Sequence, residues 1–218
     1  MSVNLEKSDY ASIGLLVLML GVSLHGYLQV EGDVATHFDS SNQPDRTMEK
    51  LPGLAVLPLV SIAVLSLFKI LPAVDPLKDN IENFKPVFEW LSVAIIAFIT
   101  YIQALIVLWN TGSAFDISRA VVPAVAGIFY VIGLVFEKAE RNWFIGLRTP
   151  WTLSKDEVWD RTHSKLAPWF KFAGFFSLGG LVFPGMLLEF VVGPAVVLSV
   201  AGTVYSYRVY SKLEDEED

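Results

Sequence analysis

Six long apolar runs constrain this 218-residue chain more than any other feature. They cover roughly Ala11–Val30, Leu54–Leu71, Phe88–Trp109, Ala120–Phe136, Pro168–Pro184 and Leu187–Tyr207, each about 17 to 22 residues long. A helix rises about 1.5 Å per residue, so each run matches a hydrocarbon core about 30 Å thick. One such run in a soluble domain can be a buried core helix. Six leave too little polar chain to cover them, since only 18% of the residues are charged where soluble domains carry about 25%. The expected fold class is therefore all-α: a polytopic transmembrane helical bundle of six spans in the cell membrane. Residues 1–218 are read as a single integral membrane domain. The first run is too long for a signal-peptide core, and "HGYLQVEGD" offers no small-x-small cleavage site, so it is read as a retained span.

Basic residues in short loops set orientation. With the N-terminus inside, the inner segments and their flanks hold thirteen Lys and Arg: Lys7, Lys69, Lys78, Lys85, Lys138, Arg141, Arg148, Lys155, Arg161, Lys165, Lys171, Arg208 and Lys212. The outer loops hold three, Arg46, Lys50 and Arg119. Both termini are therefore expected inside. Residues 31–50 then form an outer loop and residues 137–167 an inner one. The acidic tail, residues 212–218, reads as a solvated end.

This topology limits chemistry. There is no Cys, which removes disulfides, thiolate nucleophiles and Cys-based metal sites. His25 and His37 fall on the outer side and His163 on the inner, so the three cannot share a metal. The chain has no H-E-x-x-H, G-x-S-x-G or Walker A pattern and no mid-span acidic pair. Glu89, Glu189 and Lys171 fall near span ends, where they can face water. Gln103 and Thr100 are the clearly polar residues deep in the third span, and an interhelical hydrogen bond is their ordinary use. No cofactor is implied.

Three polar segments separate the runs. In the outer loop, His37, Asp39 and Asp45 offer imidazole and carboxylate ligands for a divalent cation. Ser40, Asn42 and Pro44-Asp45 are turn residues, however, so turn capping is the competing reading. In "LPAVDPLKDNIENFKP", Asp75-Pro76 starts a turn or a capped interfacial helix. The third segment, "NWFIGLRTPWTLSKDEVWDRTHSK" at 142–165, is the most polar. Thr149-Pro150 should break the preceding helix, and Ser154 with Glu157 has the spacing of a capping box. A short helix over Lys155–Leu166 should follow, with Val158, Trp159, Thr162, Leu166 and Trp169 on one face. Such a helix lies at the headgroup level. Trp151, Trp159 and Trp169 are expected to anchor it, Gly146 and Pro150 to set the bend, and the Arg148 guanidinium to be the central contact. His163 should lie near the same surface, close enough to report on charge there, although one His is more often a structural hydrogen-bonder than a switch.

These residues resemble the signature of the SdpI family, membrane proteins named for an immunity protein against a secreted toxic peptide. Asn142, Phe144, Ile145, Gly146, Arg148, Thr149, Pro150, Trp151, Thr152, Leu153, Val158, Trp159, Thr162 and His163 stand where that pattern has them. The outer loop is similar to a small domain of unknown function that often precedes the signature, through His37, Phe38, Pro44, Asp45 and Lys50. Asp39 replaces the Asn of that pattern, and Asn42 replaces its Gly. "DPLKDNI" at Asp75–Ile81 resembles the family's loop before the third span. The resemblance implies a non-enzymatic membrane protein that protects the producing cell from a membrane-active toxin peptide. In the family's namesake it also implies signalling, by holding a cytoplasmic transcriptional repressor at the membrane. The partners implied are thus membrane lipids, the secreted peptide and a repressor, with no direct contact to nucleic acid.

Two other classes stay open on the residues. A small-solute or ion transporter would need polar residues lining several spans, and Gln103, Thr100 and Ser66 are the few available. A membrane enzyme could use His163, Asp160 and Arg148 at the headgroup plane, but Ser164 adjoins His163 and helix neighbours do not face each other. "DRTMEKL" at Asp45–Leu51 and "DRTHSKL" at Asp160–Leu166 share five of seven residues, as halves of an inverted repeat would.

Overall fold

Helices form where the apolar runs are longest and least interrupted. The structure, a computed structural model, describes residues 5–39 and 42–217, which leaves Ser40 of the outer loop outside the described residues. Its long helices are α1 (Lys7–Gln29), α2 (Lys50–Val74), α4 (Lys85–Asn110), α5 (Ile117–Phe136), α7 (Asp156–Ser177) and α9 (Leu187–Glu217). Shorter ones are α3 (Lys78–Asn83), α6 (Pro150–Ser154) and α8 (Gly179–Val182), and a hairpin pairs β1 (Val34–Phe38) with β2 (Pro44–Met48). The chain is an all-α polytopic bundle. Among the described residues, five helices (α1, α2, α4, α5 and α9) are long and apolar enough to cross a membrane.

The fifth apolar run is divided differently from expectation. Its first half belongs to α7, which continues unbroken from the polar segment through Pro168, so no separate helix ends at Leu166. Pro168 lacks the N–H that the Ser164 carbonyl would accept, but Ser164 is exposed and water can serve it. The helix instead stops at Ser177, and Gly179-Gly180 and Pro184-Gly185 cut the rest into α8 and a short 3₁₀ turn.

Contacts divide the chain into two compact units, residues 1–67 with 92–124 and residues 68–91 with 125–218. In the first, Val30, Val34, Leu54, Ile106 and Val107 form the buried core. Gly26 permits this approach, because a Cβ there would lie 3.0 Å from Val107 and 3.1 Å from Leu54. Gln103 is fully buried and donates to Ser23 Oγ at 2.8 Å and to the Leu54 carbonyl at 3.2 Å. The interhelical bond expected of it is present. Thr100 bonds the Ile96 carbonyl of its own helix instead.

The outer loop of the sequence reading is the antiparallel hairpin, with Val34 opposite Met48 and His37 opposite Arg46. Asn42 has φ 61°, the left-handed turn conformation that Asn tolerates better than other side chains. Its side chain donates to the Phe115 carbonyl and accepts from the Ile117 amide. Asn110 grips the other end, accepting from the Ala35 amide at 2.8 Å and donating to its carbonyl at 3.0 Å. The hairpin is thus tied at both ends to helix termini by two Asn side chains.

In the second unit, Leu71, Ile81, Phe84, Phe88, Val135, Ala139 and Trp159 make the main core. Small residues let helices touch. A Cβ on Gly133 would lie 2.7 Å from the Ala167 carbonyl, one on Gly174 2.7 Å from the Ala126 carbonyl, and one on Gly202 2.7 Å from Leu166.

Candidate functional site

The polar segment after α5 is a self-bonded loop rather than a loose one. Asn142, fully buried, organises its first turn. Its Oδ1 accepts from the Phe144 and Ile145 amides at 2.9 and 2.7 Å, while its Nδ2 donates to the Glu140 and Ile145 carbonyls. All four hydrogen-bonding places of the carboxamide are filled. Asp75, also buried, reaches the same turn from the loop before α3. It accepts from the Leu77 amide at 2.7 Å on one oxygen and from the Trp143 amide at 2.9 Å on the other. Asn80 adds a bond to the Arg141 carbonyl at 2.8 Å, and Asn83 one to Glu140. The resemblance of "DPLKDNI" to the family's inner loop therefore marks a real packing partner of the signature.

Gly146 is where the loop crosses α7. Its φ of +130° is in the region that L side chains avoid. A Cβ there would stand 2.6 Å from Trp159 and 2.7 Å from His163 Nε2. The next residue, Leu147, donates its amide to His163 Nε2 at 2.9 Å, and His163 Nδ1 lies 2.8 Å from the Trp159 carbonyl. A carbonyl can only accept, so Nδ1 carries the proton and Nε2 is the bare acceptor. The imidazole stacks on the Trp159 indole at 4.0 Å and meets the Phe136 ring at 4.7 Å. Burial pushes its pKa down from 6.5 to about 4, the bond to the Trp159 carbonyl working in the opposite direction. His163 is therefore a neutral, buried strut: of its two expected uses, the geometry is that of the structural hydrogen-bonder and not of a group at a charged surface.

The tryptophans divide likewise. Trp159 is fully buried, donating Nε1 to the Ala139 carbonyl at 2.7 Å, so it ties α7 to the segment just after α5 and does not reach headgroups. Trp151 donates to Ser206 Oγ on α9 and packs edge-on against Tyr207. Trp143 and Trp169 remain about half exposed, at 48% and 52%, and these two have a face left for lipid.

Pro150 starts a helix where the sequence reading had it break one. Thr149 caps α6, in a box closed by Thr152 Oγ1, which accepts from the Thr149 amide at 2.8 Å. Pro150 takes the first helical position, where a missing N–H costs nothing. The capping box expected at Ser154 does not form: Ser154 donates to the Trp151 carbonyl and Lys155 precedes α7 without a side-chain cap.

Arg148 is exposed, and its guanidinium donates to one loop carbonyl, that of Trp143, at 2.7 Å. The fork expected of it belongs to Arg141, which donates Nε to Asp156 at 2.5 Å and Nη1 to the Leu153 carbonyl at 2.6 Å. Sequence reasoning counted Arg141 only as a topogenic charge. Its position directly before Asn142 was the available signal. Ser206 carried no signal, being one hydroxyl inside an apolar run. Around the loop, Lys171 pairs with Glu137 at 2.5 Å and Lys155 with Glu214 at 2.6 Å. Asp160 has its pKa raised by burial, then by Asp156 and Glu140.

On the hairpin, His37 Nδ1 meets Asp45 Oδ1 at 2.5 Å, both side chains well exposed. That bond holds the Asp45 carboxyl below its ordinary pKa. Asp39 is used in the turn, accepting from the Gln43 amide at 2.9 Å. Among the described residues no three His or acidic side chains gather closely enough to hold a metal, and Asp39 does not join His37 and Asp45 in such a group. Lys50 starts α2 with its ammonium 5.1 Å from the Tyr27 ring.

The SdpI/YfhL protein family matches residues 138–216, and a domain of unknown function (DUF1648) matches residues 14–62. The second match covers the hairpin, most of α1 and the first half of α2. "Immunity protein SdpI" of Bacillus subtilis (strain 168) is 26% identical over 209 residues, covering 95% of this chain and 98% of that protein. No solved structure matches the chain. The Asn142-to-His163 loop lies inside the region that matches the SdpI/YfhL family, and the chain is similar to an SdpI protein over nearly its whole length.

Proposed function

We propose that this chain is a membrane immunity protein that protects its cell from a secreted, membrane-active toxin peptide by binding rather than by catalysis. The observation that carries the reading is the end-to-end similarity to a protein named for immunity, over 95% of the chain. The loop geometry supports it. Both His163 nitrogens, both Asp75 oxygens and two donors of Arg141 are spent on internal bonds. A general acid or base would need one of those places open to substrate. The functional surface is then what the loop and the hairpin each expose: Arg148 and Trp143 on the loop, His37 and Asp45 on the hairpin.

The thirteen-to-three basic asymmetry supports six spans, with both termini and the 137–167 loop inside and the hairpin outside. The chain then works as a single integral membrane domain. Relay to a cytoplasmic repressor extends the reading on the ground of the family resemblance. A peptide-sensitive bacterium expressing the chain is exposed to spent medium from the producing strain, with membrane potential followed by a voltage-sensitive dye. Retained potential supports immunity. Collapse at the rate of cells without the chain, at normal abundance, overturns it.

A further inference from the structure

Beside the loop, α7 and α9 run antiparallel and leave an apolar groove open to the outside of the bundle. Two adjoining cavities form it, of about 350 and 530 Å³, and they share Trp169, Val197 and Leu198. The groove exists because Ala173, Gly193 and Ala201 face it, and none of them can fill the space between the two helices. Its ends differ in charge. Lys165 and Arg208 line one end, and Glu189 lines the other.

Lys165 and Arg208 are exposed. The ion pairs of this region join Lys155 to Glu214, Arg161 to Glu157 and Lys212 to Glu216. Among the described residues Lys165 and Arg208 enter none of them. Two uncompensated cations therefore stand at the mouth of an apolar channel. From Arg208 to Glu189 the helix rises about 28 Å, close to the full hydrocarbon thickness. An acyl chain of one leaflet reaches about half that depth, so it would fill the half nearer the cations and end short of Glu189.

We propose that this groove binds one anionic phospholipid, its phosphate between Lys165 and Arg208 and one acyl chain along Trp169, Leu198 and Ala201. Charge complementarity selects the headgroup: each basic residue near such a headgroup favours it by about fivefold. By the basic-residue asymmetry this lipid belongs to the cytoplasmic leaflet. The inference is independent of the immunity reading, since it concerns lipid occupancy and not protection.

The test uses the full chain, purified and delipidated, titrated with phosphatidylglycerol or phosphatidylcholine and read by native mass spectrometry. The intact protein should retain phosphatidylglycerol in preference. Lys165→Gln and Arg208→Gln should each lower that preference about fivefold. Lys212→Gln, outside the groove, should not change it. Ala201→Phe, at an exposed position, should block retention of the lipid by filling the channel. Equal retention of both lipids overturns the proposal. So does an equal loss of preference in Lys212→Gln, which would mean bulk charge, or an unchanged preference in Ala201→Phe, which would mean that no chain enters the groove.

Discussion

Asp75 and Trp143 are 68 residues apart, and a carboxylate oxygen of the first accepts the backbone amide of the second at 2.9 Å. The other oxygen accepts from Leu77, so one buried side chain closes its own turn and holds the signature loop. Asp75→Asn keeps the shape but turns an NH₂ toward one of those two amides. Leaving a buried donor unpaired costs about 1–3 kcal/mol. Thermal unfolding in detergent should show that loss. A variant as stable as the parent would mean that the loop is held by Asn80 and Arg141 without it.

Gly146→Ala should be more damaging. The new methyl group meets Trp159 and His163 below 3 Å, and the backbone there is strained for any L residue. Gly112 also has positive φ, +94°, but open space around it. Gly112→Ala therefore measures backbone strain alone, about 1–3 kcal/mol. The difference in folded yield between the two variants isolates the clash. Equal yields would refute the contact between the loop and the His163 ring.

The burial of His163 fixes a pH dependence. Its folded pKa, about 4, lies below the unfolded value of 6.5. Between these pH values the unfolded chain binds the extra proton, so stability rises with pH. The contribution is complete above about pH 6.5 and is lost as pH falls toward 4, amounting to roughly 3 kcal/mol. His163→Gln keeps an acceptor near the Nε2 position and removes the titration. Its melting temperature should fall less between pH 7 and pH 4.5 than that of the parent. Parallel curves for the two proteins would assign the acid sensitivity to other groups.

The hairpin offers a separable test of the outer surface. His37 and Asp45 are exposed and bond mainly each other, so their removal leaves no buried group unpaired. His37→Ala and Asp45→Ala should accumulate normally yet weaken protection if the hairpin meets the peptide first. Full protection by both variants would reduce the pair to a strand-to-strand contact.

Apolar runs made the bundle legible because length and hydrophobicity alone decide which helices suit a membrane. Periodicity also found α7, but it could not separate a lipid-facing stripe from a protein-facing one. Val158, Trp159, Thr162 and Leu166 do share a face, and that face is buried in the unit. The loop's internal bonds were less legible, since they join Asp75, Asn80 and Ser206 to residues more than fifty positions away. No local spacing encodes such pairs. The hairpin was hidden for a related reason: its strands are five residues each, the second is exposed throughout, and two Asn side chains outside the strands hold them.

Arg141 and Arg148 are the two arginines between α5 and α7, and their geometries predict opposite behaviour. Arg141 is mostly buried and feeds two acceptors in different directions, Asp156 and the Leu153 carbonyl. A lysine ammonium at the end of a flexible stem cannot reproduce that planar pair of bonds. Arg141→Lys should therefore lower thermal stability by about 1–3 kcal/mol, with lower abundance in the membrane. Arg148 donates only to the Trp143 carbonyl among the described residues, a bond that Lys can make. Arg148→Lys should fold like the parent. The remaining donors of the Arg148 fork point outward, where bidentate contact with a partner's carboxylate or phosphate is available to Arg and not to Lys. Its proposed functional role then predicts normal abundance with weakened protection. Silence in both measurements would leave Arg148 as a topogenic charge, and a stable Arg141→Lys would remove Arg141 as the tie between the loop and α7.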